Sequence, residues 1–198
     1  MSVEISRDFL QMSLVGENTF DAALPRVKHL LSENRGYLSD TVPEGARAAS
    51  ILILFWSSNG REPQLVMQTR PEHMRAAPGA IVFPGGGADP DETVEQTAIR
   101  EFNEEMFREN VLALDSVVGK MPPFVRTISS SSGDRTYWMA PVVAWSEQNL
   151  LFNPSEEEVG RVILSPVSHW LDSSEEFYIP KGEDKAMMEG NALALLML

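Results

Sequence analysis

A run of glycines just before a strongly acidic helix constrains the fold more than any other feature of this sequence. Pro84 is followed by glycine at 85, 86 and 87, and Thr93-Val94-Glu95-Gln96 then matches a capping box with Thr93 as the N-cap. Apolar residues recur from there at helical spacing, at Val94, Ala98, Phe102 and Met106. This stripe predicts an amphipathic helix that packs one face on the core.

Segments typical of strands lie on both sides of this helix. An apolar run at 48–56, a turn cluster at 57–60 and a second run at 64–69 predict a hairpin. Pro141 lies inside a later run and predicts an edge strand or a bulge, because proline has no N–H to donate. Strands around one central helix predict an α+β fold, a sandwich with a mixed sheet. The further predicted strands are 80–83, 111–118, 137–145 and 158–164.

The length of 198 residues suits one domain with an extension. Residues 1–41 are predicted to be an N-terminal extension that is partly helical, because apolar residues between Phe20 and Leu31 recur at helical spacing. Residues 42–198 are predicted to form the domain. Short helices are predicted at 168–172 and 190–198.

Composition excludes several classes of protein. The chain has no cysteine, which excludes disulfides, cysteine-based zinc sites and thiol nucleophiles. A net charge of −13 argues against binding to nucleic acid or to anionic membranes. No basic segment precedes a long apolar run at the N-terminus, and no apolar run is of membrane-spanning length. We therefore expect a cytoplasmic protein that binds neither nucleic acid nor membrane.

Three carboxylates are predicted to share one face of the helix. Glu105 is four residues from Glu101, and Glu104 is three residues from it, so all three fall within one turn. Like charges at this spacing repel, and a divalent cation would remove the repulsion. Oxygen ligands favour Mg²⁺ or Mn²⁺. The alternative is an acidic helix face that is simply solvated.

The joint spacing of the glycines and acids resembles the Nudix box, G-x5-E-x7-R-E-U-x-E-E-x-G-U, where U is apolar. Gly86 takes the first glycine, Glu92 follows after five residues, and Arg100-Glu101 follow after seven more. Glu104-Glu105 complete the acidic cluster.

The end of the box departs from that pattern. Phe107 replaces the last glycine, and Arg108 replaces the apolar residue after it. Because that glycine normally ends the helix, we expect the helix to run on, with Asn110 as its stop.

The segment before the box is similar to the coenzyme A diphosphatase signature, L-[LM]-T-x-R-[SA]-x3-R-x3-G-x3-F-P-G-G. Gln68 replaces its threonine and Pro71 replaces its serine or alanine. The matching positions are Arg70, Arg75, Gly79 and Phe83-Pro84-Gly85-Gly86.

This resemblance implies a Nudix fold, an α/β/α sandwich in which the box forms a loop–helix–loop motif. It implies metal binding by Glu101, Glu104, Glu105 and the carbonyl of Gly86. Arg100 joins these glutamates in the catalytic motif as a supporting residue that pairs with a box carboxylate. Glu92 either orients Arg100 or coordinates a further ion through water. The resemblance also implies a substrate-binding set of Arg70, Arg75, Gly85 and Gly86, with guanidinium groups on phosphate oxygens. The cofactor would be Mg²⁺ or Mn²⁺.

The implied reaction is attack of a metal-activated water on a diphosphate in a nucleoside diphosphate derivative. Coenzyme A or an acyl derivative is the first candidate substrate, and ADP-ribose, NADH or a sugar nucleotide are alternatives. The box does not fix the general base. Glu104 is one candidate, and among the later acidic residues Glu158 is the most natural, with Glu156 and Glu157 as rivals. The alternative for these later residues is a solvated acidic turn. A nucleotide-binding domain without hydrolysis is the alternative from another class. By analogy with the family we expect a homodimer.

Overall fold

The computed structural model describes residues 41–58, 61–75, 77–107, 111–128 and 133–167. The predicted extension, except for Thr41, and the predicted helices at 168–172 and 190–198 lie outside these ranges. The strands are β1 (Arg47–Trp56), β2 (Gln64–Thr69), β3 (Ile81–Val82), β4 (Gly85–Gly87), β5 (Val117–Lys120), β6 (Phe124–Ile128), β7 (Arg135–Ser146) and β8 (Arg161–Pro166). Helix α1 (Val94–Met106) follows β4, and a 3-10 turn, Leu114–Ser116, precedes β5.

The described strands form one mixed sheet. The main path runs β3-β2-β1-β7-β5, while β4 pairs with β1, β6 with β7 and β8 with β2. β1 and β7 are parallel along their whole shared length, and the other pairs are antiparallel. The predicted hairpin of the first two strands, the mixed sheet and the α+β class are therefore confirmed.

Helix α1 covers one face of this sheet. The capping box is present, because Thr93 N–H donates to Gln96 Oε1 (2.8 Å) and Gln96 N–H donates to Thr93 Oγ1 (3.2 Å). The predicted stripe faces the core, where Ala98, Phe102 and Met106 are fully buried against sheet residues such as Leu52. Inner-strand residues of the opposite face are buried as well, among them Ile53, Leu65 and Val143. Burial on both faces is what a layered sandwich requires.

Helix α1 ends at Met106, so the prediction that it runs on toward Asn110 was wrong. Phe107 is the C-cap residue, and its ring stacks on Phe152 with centroids 5.4 Å apart. The last carbonyls of the helix are satisfied from another segment, since Ser155 N–H donates to Glu105 O (2.8 Å) and Asn153 N–H to Met106 O (2.9 Å). Backbone donors and a buried aromatic side chain end the helix here without glycine.

Two strands begin later than predicted. The strand predicted at 111–118 begins only at Val117, because the backbone at 111–112 bonds the Asn103 side chain. The strand predicted at 158–164 begins at Arg161, because Ser155 O accepts from both Glu158 and Val159 and holds a turn. The glycine run at 85–87, which lies outside the predicted strands, forms β4.

The edge position predicted from Pro141 was also wrong. β7 is an inner strand with β1 on one side, where Pro141 faces Ile51, and β5 and β6 on the other. Pro141 lies where the second partner changes from β6 to β5, and its carbonyl accepts from Met121 N–H (2.9 Å). The missing N–H therefore falls at a gap between strands. The irregularity in pairing lies in β5, between Val117 and Gly119.

Replacing Asn103 with alanine should destabilise the fold. This buried amide donates to Leu112 O (2.8 Å) and accepts from the N–H groups of Val111 (3.2 Å) and Leu112 (2.8 Å). Its removal leaves buried backbone groups unpaired, so we expect a loss of about 2–4 kcal/mol in the free energy of unfolding, measured by urea denaturation. Asn153→Ala is the control, since Asn153 is exposed and contributes its backbone N–H. Equal stability of the two variants would contradict this account.

Candidate active site

Arg100 joins the glycine strand, the following loop and the acidic face of α1. Its Nε and Nη2 donate to the two oxygens of Glu92 (2.8 and 2.9 Å), and Nη2 also donates to Gly87 O (2.9 Å). Its Nη1 donates to Glu101 Oε1 (2.8 Å) and Glu104 Oε2 (3.2 Å). A guanidinium has five N–H groups, and all five are used. Arg100 therefore orients carboxylates and keeps no donor free for a substrate.

Glu92 is held as an ionised partner of this arginine. Besides Arg100, its Oε2 accepts from Asp89 N–H (3.0 Å) and from the Thr97 hydroxyl (3.0 Å). The hydrogen bonds from Arg100 are the largest cause that lowers the pKa of Glu92 to about 2, and the pKa of Arg100 is raised in turn. Glu92 stays charged at any pH where the protein is handled.

Glu105 is the most buried carboxylate of the helix, with 7% of its surface exposed. Gly85 N–H donates to its Oε2 (3.0 Å), and the Gln68 side chain also hydrogen-bonds it. Burial is the largest cause that raises the pKa of Glu105 to about 8, and the charges of Glu101 and Glu158 act in the same direction. The two hydrogen bonds oppose this rise. The group is therefore poised to exchange a proton for another positive charge.

Glu101 and Glu104 differ in their exposure. Burial raises the pKa of Glu101, the contacts with Arg100 oppose this, and the charges of Glu104 and Glu158 raise it further. Glu104 has 57% of its side chain exposed against 18% for Glu101. The three carboxylates predicted to share one face thus range from buried to open to solvent.

Two glycines let β4 lie against both β1 and the helix. A β-carbon at Gly86 would collide with the Glu101 carboxylate, and one at Gly85 would collide with Ser50 O. Any side chain at either position would displace the carboxylate or the strand. The close approach of β4 to β1 and to the helix therefore requires glycine at both positions.

The two glycines direct their backbone groups differently. Leu52 N–H donates to Pro84 O, and Ala88 N–H donates to Ala48 O. The pairs 52/84 and 48/88 are therefore hydrogen-bonded pairs between the segments of β1 and β4. The pair Ser50/Gly86 lies midway between these two pairs and has the same hydrogen-bonding pattern, so the backbone groups of Gly86 point toward β1. The backbone groups of Gly85 point away from β1, and its N–H donates to Glu105. The backbone of Gly85, rather than that of Gly86, faces the carboxylates.

A fourth carboxylate reaches this cluster from the turn before β8. Glu158 is near enough that its charge raises the pKa of both Glu101 and Glu105. The bonds from Ser155 and Asn153 to the helix end hold this turn against α1. Glu157 instead presents its carbonyl to His73 Nε2 (3.1 Å).

The predicted phosphate-binding arginines lie on a loop beside that turn. Arg70 N–H donates to Ala80 O (2.9 Å) and Gly79 N–H donates to Arg70 O (3.0 Å), which closes the loop between β2 and β3. Gly79 adopts φ +71, a conformation that favours glycine. Arg75 is exposed on the loop, and its neighbour His73 makes the contact with the acidic turn. The structure thus brings the loop next to the turn that carries Glu158.

The donor set fits a hard divalent cation. Glu101, Glu104, Glu105 and Glu158 offer only oxygen, and their mutual repulsion is what a cation would neutralise. In the described ranges, however, no three acidic or histidine side chains converge as a preformed metal site. Arg100 draws Glu101 and Glu104 to one side, while Gly85 and Gln68 hold Glu105.

Sequence reasoning did not assign a role to two buried amides of this region. Asn103 occupies the free position of the box yet anchors the segment after the helix. For Gln68, the sequence shows only that it replaces the threonine of the coenzyme A diphosphatase signature. The available signal was its phase in the strand, since Gln68 lies two residues after the apolar Val66 and therefore shares its face of the sheet.

Comparison with known proteins identifies the family. A model of the NUDIX domain matches residues 46–175. The chain belongs to the NUDIX family. The uncharacterized Nudix hydrolase NudL of Yersinia pestis (strain Pestoides F) is 32% identical over 158 residues, covering 79% of this chain and 71% of that protein. NudL of Yersinia pseudotuberculosis (serotype O:1b, strain IP 31758) matches with the same 32% identity and the same coverage of 79% and 71%.

Among solved structures, a NUDIX hydrolase from Alicyclobacillus acidocaldarius aligns with a TM-score of 0.49 at 15% identity, over 66% of this chain and 82% of its own. The family model and the named relatives make this chain an enzyme of the Nudix pyrophosphohydrolase family. Within the part of the chain that the structure describes, no helix is long and apolar enough to span a membrane.

The raised pKa of Glu105 predicts how the stability of the metal-free protein depends on pH. Its contribution is fully present below its usual pKa of 4.5 and is lost as pH rises through about 8. Glu92 acts in the opposite sense, but its contribution is lost only as pH falls from 4.5 through about 2. We therefore expect the melting temperature in EDTA to fall between pH 5 and pH 8.

Glu105→Gln tests this assignment, because a neutral amide does not titrate. The melting temperature of this variant should change less between pH 5 and pH 8 than that of the wild type. Glu156→Gln, in the exposed turn, should show the same pH dependence as the wild type. Parallel pH profiles of wild type and Glu105→Gln would contradict the assignment of the raised pKa.

Proposed function

We propose that this enzyme hydrolyses a diphosphate bond in a nucleoside diphosphate derivative, with coenzyme A or an acyl-coenzyme A as the first candidate substrate. The observation that carries the chemistry is the buried Glu105, held beside Glu101 and Glu158 at a glycine strand. Burial and the charges of Glu101 and the exposed Glu158 disfavour the ionised form of Glu105, and a bound cation would favour it.

Glu101, Glu104 and Glu105 are the proposed ligands of Mg²⁺ or Mn²⁺, with a glycine carbonyl as a further one. The sequence favours Gly86 for that carbonyl, whereas the strand pairing favours Gly85, whose backbone faces Glu105. When bound, the cation would withdraw charge from the diphosphate and lower the pKa of a water.

The protein residues have separable roles in this proposal. Arg100 and Glu92 fix the orientation of Glu101 and Glu104 rather than contact the substrate, because every donor of Arg100 is used within the protein. Arg70 and Arg75 are the proposed phosphate contacts, on a loop that His73 holds beside the acidic turn.

The preference for coenzyme A rests on the signature residues before the box. The segment between Arg70 and Ala80 is one closed loop with its two arginines and Gly79 in the register of that signature. This loop lies outside the metal-binding helix, so it can select the substrate without altering the chemistry. ADP-ribose, NADH and sugar nucleotides remain the alternatives to be tested.

The test is a hydrolysis assay of the full chain with Mg²⁺ on coenzyme A, acetyl-coenzyme A, ADP-ribose, NADH and UDP-glucose, with products identified by mass spectrometry. We expect 3′,5′-ADP and 4′-phosphopantetheine from coenzyme A at the highest kcat/KM of the panel. Another best substrate would overturn the coenzyme A proposal and keep the hydrolysis.

Glu105→Gln should lower kcat by more than about 100-fold, because a ligand charge is lost. Glu156→Gln should retain wild-type kcat. Cleavage of no compound would favour a nucleotide-binding domain, which a Mg²⁺-dependent nucleotide titration would then detect.

Glu158→Gln should lower kcat by about 10²–10⁴-fold with little change in KM if Glu158 is the general base. Glu157→Gln is the matched control, because the neighbouring residue contributes its backbone carbonyl to His73 and not its side chain. Wild-type kcat in Glu158→Gln would exclude Glu158 as the base and return Glu104 as the first alternative.

A further inference from the structure

Gln68 is a buried polar residue on the strand that faces the acidic helix. Its backbone is paired on both sides, with Val82 of β3 and with Val162 of β8. Only 1% of its surface is exposed. A side chain mounted on a strand that is paired on both edges has little freedom to move.

The two ends of the Gln68 amide are in different situations. One end hydrogen-bonds the Glu105 carboxylate. This bond favours the charged form of Glu105 and the amide oxygen has no hydrogen-bond partner, so the nitrogen end is the donor. The oxygen end, Oε1, is buried and has no hydrogen-bond partner among the described residues. Such an unpaired atom is unfavourable, so packing alone does not account for an amide at this position.

The Glu105 carboxylate therefore receives donors from two strands. Gly85 N–H reaches its Oε2 from β4, and Gln68 reaches the carboxylate from β2. Two donors from fixed backbone elements limit the rotation of a carboxylate that a helix alone would leave free. Groups that orient a metal ligand in this way commonly change metal affinity by about 10–100-fold when they are removed.

We propose that Gln68 is a positioning residue that orients Glu105 for binding a divalent cation. The inference rests on the proposed function, in which Glu105 is a metal ligand. Gln68 touches neither the substrate nor the cation in this proposal and acts through the carboxylate. Burying Oε1 without a hydrogen-bond partner is the unfavourable consequence of presenting the amide nitrogen to Glu105.

The experiment is a titration of the full chain with Mn²⁺ alone, followed by electron paramagnetic resonance of the free ion. Gln68→Met removes the hydrogen bond while nearly preserving the length of the side chain, so we expect the Kd for Mn²⁺ to rise about 10–100-fold. Gln64→Met is the matched control on the same strand, since the Gln64 amide bonds Glu62 O instead. It should bind Mn²⁺ as the wild type does.

A double-mutant cycle separates positioning from a general structural effect. If Gln68 acts through Glu105, Gln68→Met should change the Kd little in a Glu105→Gln background. In Mg²⁺-activated hydrolysis, the Mg²⁺ concentration that gives half-maximal activity should rise for Gln68→Met, with an unchanged KM for the substrate at saturating Mg²⁺.

A wild-type Kd in Gln68→Met would overturn the proposal, as would an equal loss in the Glu105→Gln background. Should Gln68→Met fail to fold by circular dichroism, Gln68→Thr is the second variant. Threonine suits a strand, and its hydroxyl is too short to reach the atom that Gln68 contacts. Absence of Mn²⁺ binding and of hydrolysis in the wild type would instead refute the proposed function, and the inference with it.

Discussion

The pair formed by Arg100 and Glu92 is the interaction on which the rest of the site depends. It joins three successive elements of the chain: the glycine strand through Gly87 O, the loop through Glu92, and the helix through Glu101 and Glu104. A planar guanidinium can serve all of these acceptors because its donors diverge in one plane. A lysine would offer a single charge and no such geometry. One side chain therefore ties the acidic face to β4, alongside the bond from Gly85 N–H to Glu105.

Burial and the hydrogen-bond partner together give the glutamates different pKa values. Glu92 and Glu105 lie on neighbouring elements, yet the pKa of the first is lowered to about 2 and that of the second is raised to about 8. The first has a guanidinium as its partner, whereas the second has amide N–H groups and a low-polarity surrounding. Neutral donors offset only part of the cost of burying a charge. This contrast divides the carboxylates into one that supports the structure and one that is available to a cation.

Much of the helix and its surroundings followed from local signals. The capping box and the stripe from Val94 to Met106 predicted the start and the buried face of α1, since both depend on residues within a few positions. The end of the helix did not follow, because its carbonyls are satisfied by Asn153 and Ser155, far along the chain. The edge position predicted from Pro141 was wrong because it also depends on distant residues. The gap beside Pro141 is created by the ends of β5 and β6.

The spacing of the box predicted which acidic residues lie together but not how deeply each is buried. The contrast between Glu104 and Glu105 depends on the strands packed against the helix, and so does the contact between Gln68 and Glu105. Neither can be read from a run of glutamates. The position of Glu158 beside the cluster was suggested by resemblance, and its cause is the bonding of the 153–155 segment to the helix end.

That bonding uses only backbone groups, as Ser155 N–H and Asn153 N–H donate to the carbonyls of Glu105 and Met106. The distance between the acidic helix and the turn with Glu158 is therefore insensitive to which side chains occupy 153 and 155, provided that neither is proline. The turn can change its composition, and with it the groups it offers to a ligand, while its attachment to the helix stays the same. In this short segment the side chains can therefore vary while the position of the backbone relative to the helix end stays constant.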